Sequence, residues 1–327
     1  PILLSPAAAE HIETIAALAN TLSKKRFGNT IQIFVPMYLS NLCYNKCTYC
    51  DFSIDNKVKR IVLSDEKIVE EAKILSKKGF KHILLLTGEA EPTVGPDYIS
   101  NAIKLMSPYF SSVGIEVQPL TKEGYQQVFD AGCDSITLYQ ETYNKDAYTK
   151  FHVSGKKKNY TKRLEAAETS ASVGFHKMQI GALLGLYDWQ YEAFSLAQHL
   201  NFMKKKYWKT KFGISFNRIK DISSGFKPDY PLSDRELVQL ITSFRLVFPD
   251  VGISMSTREP ASLRTNLIPL GITQMSAESK TSPGGYSGET ELEQFSISDE
   301  SSISAVIQSI KNKGYDPVFK DWDLCMT

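Results

Sequence analysis

No apolar run in this sequence is long enough to span a bilayer; the longest candidates, such as Ile83 to Leu86, are strand-sized. A basic, then apolar, then small-residue leader is also missing, and the chain opens on Pro1 rather than Met, which is compatible with trimming. Charge of one sign is missing too. The 38 Lys and Arg against 36 Asp and Glu leave a net charge of +2. That balance gives no reason to propose nucleic acid or a membrane as partner. Cysteine is scarce and odd in number: five residues, three of them within Cys43–Cys50. This is no disulfide framework. It reads as an intracellular metal or redox site, so a cytoplasmic location is expected. Cys133 and Cys325 stand apart and read as packing thiols.

What is present is an ordinary globular composition, 42% hydrophobic and 23% charged over 327 residues. That length holds one α/β barrel, commonly about 250 residues, with extensions. One pattern recurs: a helix-like stretch ends in glycine and an apolar run follows, as in "ILSKKGFKHILLLT", "VFDAGCDSITLY" and "ASVGFHKMQIGAL". Gly79, Gly132 and Gly174 suit the left-handed position that ends a helix. The apolar runs are continuous, as in parallel strands covered by helices. Ser64 is an expected N-cap, with Asp65 and Glu66 in the first turn and Ile68, Ala72 and Leu75 on one stripe.

Eight strands are expected near 31–38, 81–87, 113–118, 134–140, 177–183, 212–217, 251–257 and 272–276. Helices are expected between most of them, with an extra one over 6–24 and a last one near 299–313. The alternation predicts a closed (β/α)8 TIM-type barrel, with a doubly wound open sheet as the structural alternative. The division is an N-terminal helical extension over 1–30, a barrel over 31–278, and a C-terminal loop, helix and tail over 279–327. In such a barrel chemistry gathers at the C-terminal strand ends. There lie the cysteines, "TGE" (Thr87, Gly88, Glu89), "VQP", "YQET" and "STRE".

Cys43, Cys47 and Cys50 make a C-x3-C-x2-C motif. Thiolates take zinc or iron–sulfur clusters. Structural zinc sites pair two cysteine units, and ferredoxin clusters need a fourth cysteine; neither is present. Cys133 is a poor fourth ligand, because it starts strand four at the opposite face. Three thiolates on a four-iron cluster leave one iron open to a small molecule.

The spacing resembles the radical S-adenosylmethionine (SAM) superfamily. The resemblance implies a [4Fe–4S] cluster on Cys43, Cys47 and Cys50, with SAM chelating the open iron and yielding a 5′-deoxyadenosyl radical. It implies that Tyr49 packs near the adenine and that Thr87, Gly88 and Glu89 run along the SAM amino group, through backbone more than side chain. Longer stretches, including "LTGEAEPTVGPDYI", "ISMSTRE", "MSAESKTSPGGY" and "KDWD", resemble the aromatic amino acid lyases of that superfamily. Among these the tyrosine lyases of bacterial thiamine-thiazole synthesis are most similar, nearly end to end. The activity implied is Cα–Cβ cleavage of L-tyrosine to 2-iminoacetate and p-cresol. Tryptophan lyases and hydrogenase-maturation tyrosine lyases are the alternatives.

On that resemblance Arg258 and Ser256 match the substrate carboxylate site; a guanidinium can hold a carboxylate through two parallel bonds. If strand seven runs to 257, alternation turns both residues inward. Arg163 matches the SAM carboxylate partner, Glu141 a ribose acceptor, and Gln118 a contact to the amino-acid end of SAM. The implied partners are thiazole synthase, ThiG, and a flavodoxin-type reductant. "SPGGYSG" (Ser282–Gly288) reads as a mobile lid. Lys156–Lys158 read as a solvated loop, with a docking patch for an acidic reductant as the alternative, and "KVKR" reads either as solvated or as charge that offsets the anionic thiolate cluster. Glu278 and Lys280 either reach the cavity or pair with each other. His82, His152 and His176 read as packed or surface groups.

Overall fold

A computed structural model describes residues 1–220, 222, 225–288 and 293–319. Cys325 and the "KDWD" stretch lie outside them. Eight parallel strands close into a barrel: β1 Thr30–Ser40, β2 His82–Thr87, β3 Ser112–Glu116, β4 Ser135–Glu141, β5 Lys177–Leu184, β6 Lys211–Arg218, β7 Gly252–Met255 and β8 Gln274–Ser276. Each pairs with its neighbour in chain order, and β8 returns to β1 through Gln32↔Gln274, Ile33↔Met275 and Phe34↔Ser276. That closing ladder excludes the open sheet. A short ninth strand, β9 (Asp316–Val318), pairs with the start of β1 and was not expected.

Local signals explain the helices. Ser64 caps α3 (Asp65–Lys77) by accepting from the Lys67 amide, and the chain leaves it through Gly79 at φ 95°. The expected N-terminal helix is two pieces, α1 (Pro6–Ala9) and α2 (Ile12–Phe27); α2 packs against α9 (Asp234–Val247). The last helix, α11 (Ile303–Asn312), begins only at Ile303, where Ser302 caps it.

β1 shows how the strands divide their side chains. Ile31, Ile33, Val35, Met37 and Leu39 are fully buried in the apolar layer toward the helices. The alternate residues Gln32, Phe34, Pro36 and Tyr38 line the barrel interior. That interior is a cavity of about 790 Å³ rather than the filled core usual for this architecture. Its wall mixes small and polar residues, such as Gly114, Gly213, Gly252, Ser215 and Gln179, with large apolar and aromatic ones, such as Phe34, Leu84 and Tyr139. Buried polar groups there find one another, as Ser254 does by donating to Gln179 (2.9 Å).

The stretch Ser282–Gly288, expected as a mobile lid, is tied down instead. Thr281 to Gly284 are buried, Tyr286 donates its hydroxyl proton to the Pro36 carbonyl (2.6 Å), and the amides of Tyr286 and Ser287 donate to Glu71. A turn tied to a strand and a helix has no free hinge.

Candidate active site

The cysteine loop leaves β1 at Ser40 and returns by residue 63. Its shape comes from two polar side chains. Asn41 donates to the Lys59 carbonyl and accepts from the Ile61 amide. Arg60 donates to the carbonyls of Asn41, Phe52, Ser53 and Asn56. Arg60, expected either as a solvated charge or as an offset to the thiolate cluster, is a staple: five guanidinium donors suit a loop with unpaired carbonyls. A two-residue ribbon of Lys46–Cys47 with His152–Ser154 holds the outer side.

Gly88 lets the loop close over the barrel. A Cβ there would overlap the Leu42 carbonyl and reach 3.1 Å from Cys43 Cβ. Its amide donates to the Ser40 carbonyl (2.9 Å). The glycine of "TGE" is required by this close approach. Thr87 Oγ1 beside it is buried without a hydrogen-bond partner.

Cys43, Cys47 and Cys50 line one chamber with Thr87, Gly88, Glu89, Glu141 and Arg163. Burial, then the neighbouring Cys43, pushes the Cys50 thiol up to about 11; burial raises Cys47 well above its ordinary value. The bare Cys47 and Cys50 thiols therefore stay protonated, and a positive centre is needed to hold them as thiolates. Amide groups already point at two sulfurs, Asn45 at Cys43 (3.8 Å) and Gln294 at Cys50 (3.7 Å). Among the described residues no three Cys, His, Asp or Glu side chains converge on a single metal ion. A four-iron cluster does not need that, because each thiolate takes a different iron. The residues fit a cluster and disfavour mononuclear zinc. Cys133 is buried at the far end of β4, with its thiol against the Ser135 carbonyl.

One wall of the chamber is a closed ion network. Arg163 donates to Glu89 (2.7 Å) and to the Tyr139 carbonyl (2.8 Å), and lies 3.5 Å from Glu141. Asn45 donates to the other Glu89 oxygen (2.7 Å). Lys157 donates to Glu141 (2.7 Å) with its side chain only 14% exposed. Burial alone would lower the Lys157 pKa, but Glu141, Cys47 and Glu89 hold it above the ordinary lysine value. Sequence reasoning missed this lysine inside a run of three; Lys156, by contrast, reaches out to Glu91. Glu141 itself has φ 70°, unusual for a residue with a Cβ. The carboxylate of Glu192 fixes the turn beyond it by accepting from Thr142 and from the Tyr143 amide.

Tyr49 packs among Cys47, Leu183 and Phe226, and its hydroxyl meets His152 Nε2 (2.6 Å). His152 Nδ1 faces the Tyr148 carbonyl, so Nδ1 carries the proton and Nε2 accepts from Tyr49. Burial lowers the His152 pKa to about 3, which keeps it neutral. Gln118 donates to the Val94 carbonyl (2.6 Å) and leaves its oxygen buried and unpaired. It borders a side pocket rather than the cysteine chamber.

Arg258 borders both the chamber and the central cavity, and Ser256 lines the cavity alone. β7 stops at Met255, three residues before Arg258, so strand alternation does not orient them. The chain turns there because the Thr257 amide donates to Ser276 Oγ and its carbonyl accepts from the Ser298 and Asp299 amides. Both side chains still line the central cavity. Arg258 lies over the Phe295 ring (3.3 Å) and has no carboxylate partner among the described residues. Its neighbour Glu259 pairs with Arg218 and Lys220 instead. Glu278 and Lys280 leave the site: Glu278 pairs with Lys78 and accepts from the first amide of α11 (2.8 Å).

Residues 37–196 match the Radical SAM superfamily, and residues 215–316 match the Biotin and Thiamin Synthesis associated domain. The second match takes in β6 to β8, so the two matches share one closed sheet. The chain is 43% identical over 323 residues to the 2-iminoacetate synthase of Salmonella typhimurium, covering 98% of this chain and 86% of that protein. It is 42% identical over the same coverage to the Escherichia coli 2-iminoacetate synthase. Among solved structures, HydG, a maturase of the [FeFe]-hydrogenase, superposes with a TM-score of 0.93 at 30% identity, over 98% of this chain and 72% of that one. With its cysteine loop at the mouth of a closed barrel, this chain belongs to the radical SAM superfamily and, within it, to the 2-iminoacetate synthase family.

Proposed function

We propose that the protein is a tyrosine lyase that cleaves the Cα–Cβ bond of L-tyrosine to 2-iminoacetate and p-cresol for the thiazole of thiamine. The observation that carries this is Arg258, a cation without a carboxylate partner, placed where the cysteine chamber opens into the barrel cavity. Radical SAM enzymes bind a [4Fe–4S] cluster and SAM, and both are cofactors of this chain. When bound, they supply an electron and a 5′-deoxyadenosyl radical.

Cys43, Cys47 and Cys50 would hold the cluster. Gly88 would keep the chamber roof thin, and Thr87 and Glu89 would border the SAM amino group. Glu141 would accept from the ribose hydroxyls through the oxygen that Lys157 leaves free, and Arg163 would face the SAM carboxylate. Tyr49, locked by His152, would form an apolar shelf for the adenine. Gln118 is the weakest of these assignments in geometry, since it opens on the side pocket. The chamber alone measures about 110 Å³, below the roughly 300–1,000 Å³ typical of ligand sites, so its contents must extend into the barrel cavity. SAM would then lie next to whatever Arg258 and Ser256 hold. Positioning would decide the reaction, because a primary carbon radical attacks the nearest hydrogen. The walled interior would keep water away.

2-Iminoacetate is an imine that water destroys, which fits direct consumption by thiazole synthase, ThiG. A flavodoxin-type reductant would dock near the cysteine loop, where Lys156 and Lys158 are exposed. Among the described residues no helix is long and apolar enough to cross a membrane; a cytoplasmic location is proposed. The test is anaerobic reconstitution with SAM, reductant and either tyrosine or tryptophan. p-Cresol from tyrosine, matched by 5′-deoxyadenosine, is expected. An intact cluster that yields none, or that cleaves tryptophan instead, contradicts the assignment.

A further inference from the structure

Five side chains line both the cysteine chamber and the central cavity: Glu116, Tyr139, Asn217, Arg258 and Gln294. They mark the border between the two spaces. One of the five is a cation and one is an acid. Glu116 ends β3, paired in register with Leu86 of β2. Its carboxyl has no hydrogen-bond or ion-pair partner among the described residues, although three other acids of this barrel end, Glu89, Glu141 and Glu259, are all ion-paired. Arg258 lies over the Phe295 ring and has no carboxylate partner among the described residues. Two opposite charges left open at one border are complementary to a zwitterion, with a carboxylate for Arg258 and an ammonium for Glu116.

We infer that Glu116 receives the α-ammonium group of the amino-acid substrate and accepts one of its protons. This rests on the tyrosine-lyase reading above. In the transfer an N–H bond breaks and an O–H bond forms on the Glu116 carboxylate. The electron pair of the broken bond remains on nitrogen, and no oxidant or reductant is needed. The product is a neutral amine held by a neutral acid. A neutral amine gives up a hydrogen atom to a carbon radical far more readily than an ammonium ion, so the transfer readies this N–H if it is the hydrogen nearest the radical.

The surroundings suit a proton acceptor. Burial, and next Glu141, raise the Glu116 carboxyl to about 7, against the pull of Arg258, Arg163 and Lys157. Tyr38 and Tyr139 also feel its charge, but burial holds both phenols above their ordinary values, so neither competes for the proton. A base poised near neutrality can both take and return a proton.

The test uses reconstituted holoenzyme with SAM and compares L-tyrosine with its des-amino analogue, 3-(4-hydroxyphenyl)propionate. Glu116→Gln keeps the shape and removes the basicity. It is expected to weaken L-tyrosine binding on the order of 10- to 100-fold, the worth of one charge-assisted hydrogen bond. Binding of the des-amino analogue, SAM affinity and the cluster spectrum should be unchanged. In the parent protein p-cresol formation should fall as pH drops through about 7, and Glu116→Gln should lose that limb. An unchanged preference for L-tyrosine over the analogue in Glu116→Gln would overturn the inference while leaving the lyase reading intact. So would a loss confined to SAM affinity. A parent protein that binds no tyrosine overturns both.

Discussion

The charged residues around the cysteine chamber form two sets, a paired wall and an open pair, on opposite electrostatic plans. In one, Glu89, Glu141, Arg163, Lys157 and Asn45 satisfy each other within a few ångströms. In the other set, Arg258 lies over the Phe295 ring with no carboxylate partner, and Glu116, on the strand between those of Glu89 and Glu141, has no hydrogen-bond or ion-pair partner among the described residues. Both sets stand at the same barrel end, so exposure of strand ends does not explain the difference. A closed network is rigid and self-sufficient; its buried charges are compensated inside the protein. An open pair keeps its charge for a ligand and burdens the fold until one arrives. The paired wall shapes the chamber, and the open pair reads the substrate.

Substitutions should separate these roles. Gly88→Ala affects both sets at once, because its methyl group collides with the Leu42 carbonyl. Reconstituted iron should fall several-fold, and iron and sulfide analysis checks this. Arg163→Ala tests the paired wall. It leaves Glu89 and Glu141 under-compensated in a buried site and should cost about 3–5 kcal/mol in urea unfolding. If stability is unchanged, the wall is not the closed network described. Arg258→Lys tests the open pair. A single ammonium replaces a two-pronged donor, so the KM for tyrosine should rise roughly 10- to 100-fold while unfolding is untouched.

Smaller effects sharpen the contrast. Lys157→Met removes a cation near Cys47 and the partner of Glu141. The cluster potential should shift negative in EPR-monitored titration, and SAM affinity should drop several-fold. Glu116→Gln should make the apoprotein slightly more stable. The folded-state pKa of Glu116 is raised from 4.5 to about 7, so the native state binds the extra proton between those values. Its penalty therefore grows as pH rises from 4.5 to 7 and stays constant above. The gain in melting temperature should be largest at pH 8 and absent at pH 4, as calorimetry would show.

The barrel was legible because its signals are local. Helix-ending glycines, the Ser64 cap and apolar runs of strand length each act within a few residues, and eight repeats leave little choice of architecture. The cysteine loop was legible for the same reason. What escaped depends on distant contacts. Lys157 looks like its neighbours in a run of three, and only the fold brings Glu141 to it. Glu116 looks like a strand-end acid until the hollow interior is seen. Gln294 and Phe295 belong to a polar stretch that returns across the barrel mouth. The supposed lid failed because Glu71, more than 200 residues earlier, ties it down. The inward orientation of Arg258 was anticipated, but through strand alternation; a turn made by Thr257 provides it.

The division of labour between the two sets is tested most directly by a crystal structure of the anaerobic holoenzyme with SAM and L-tyrosine. The tyrosine carboxylate should lie within hydrogen-bond distance of the Arg258 guanidinium, and its amino group should face Glu116 on the side of the cysteine chamber. A tyrosine carboxylate bound by Arg163, or an amino group turned away from Glu116 toward the far end of the barrel, would contradict the account.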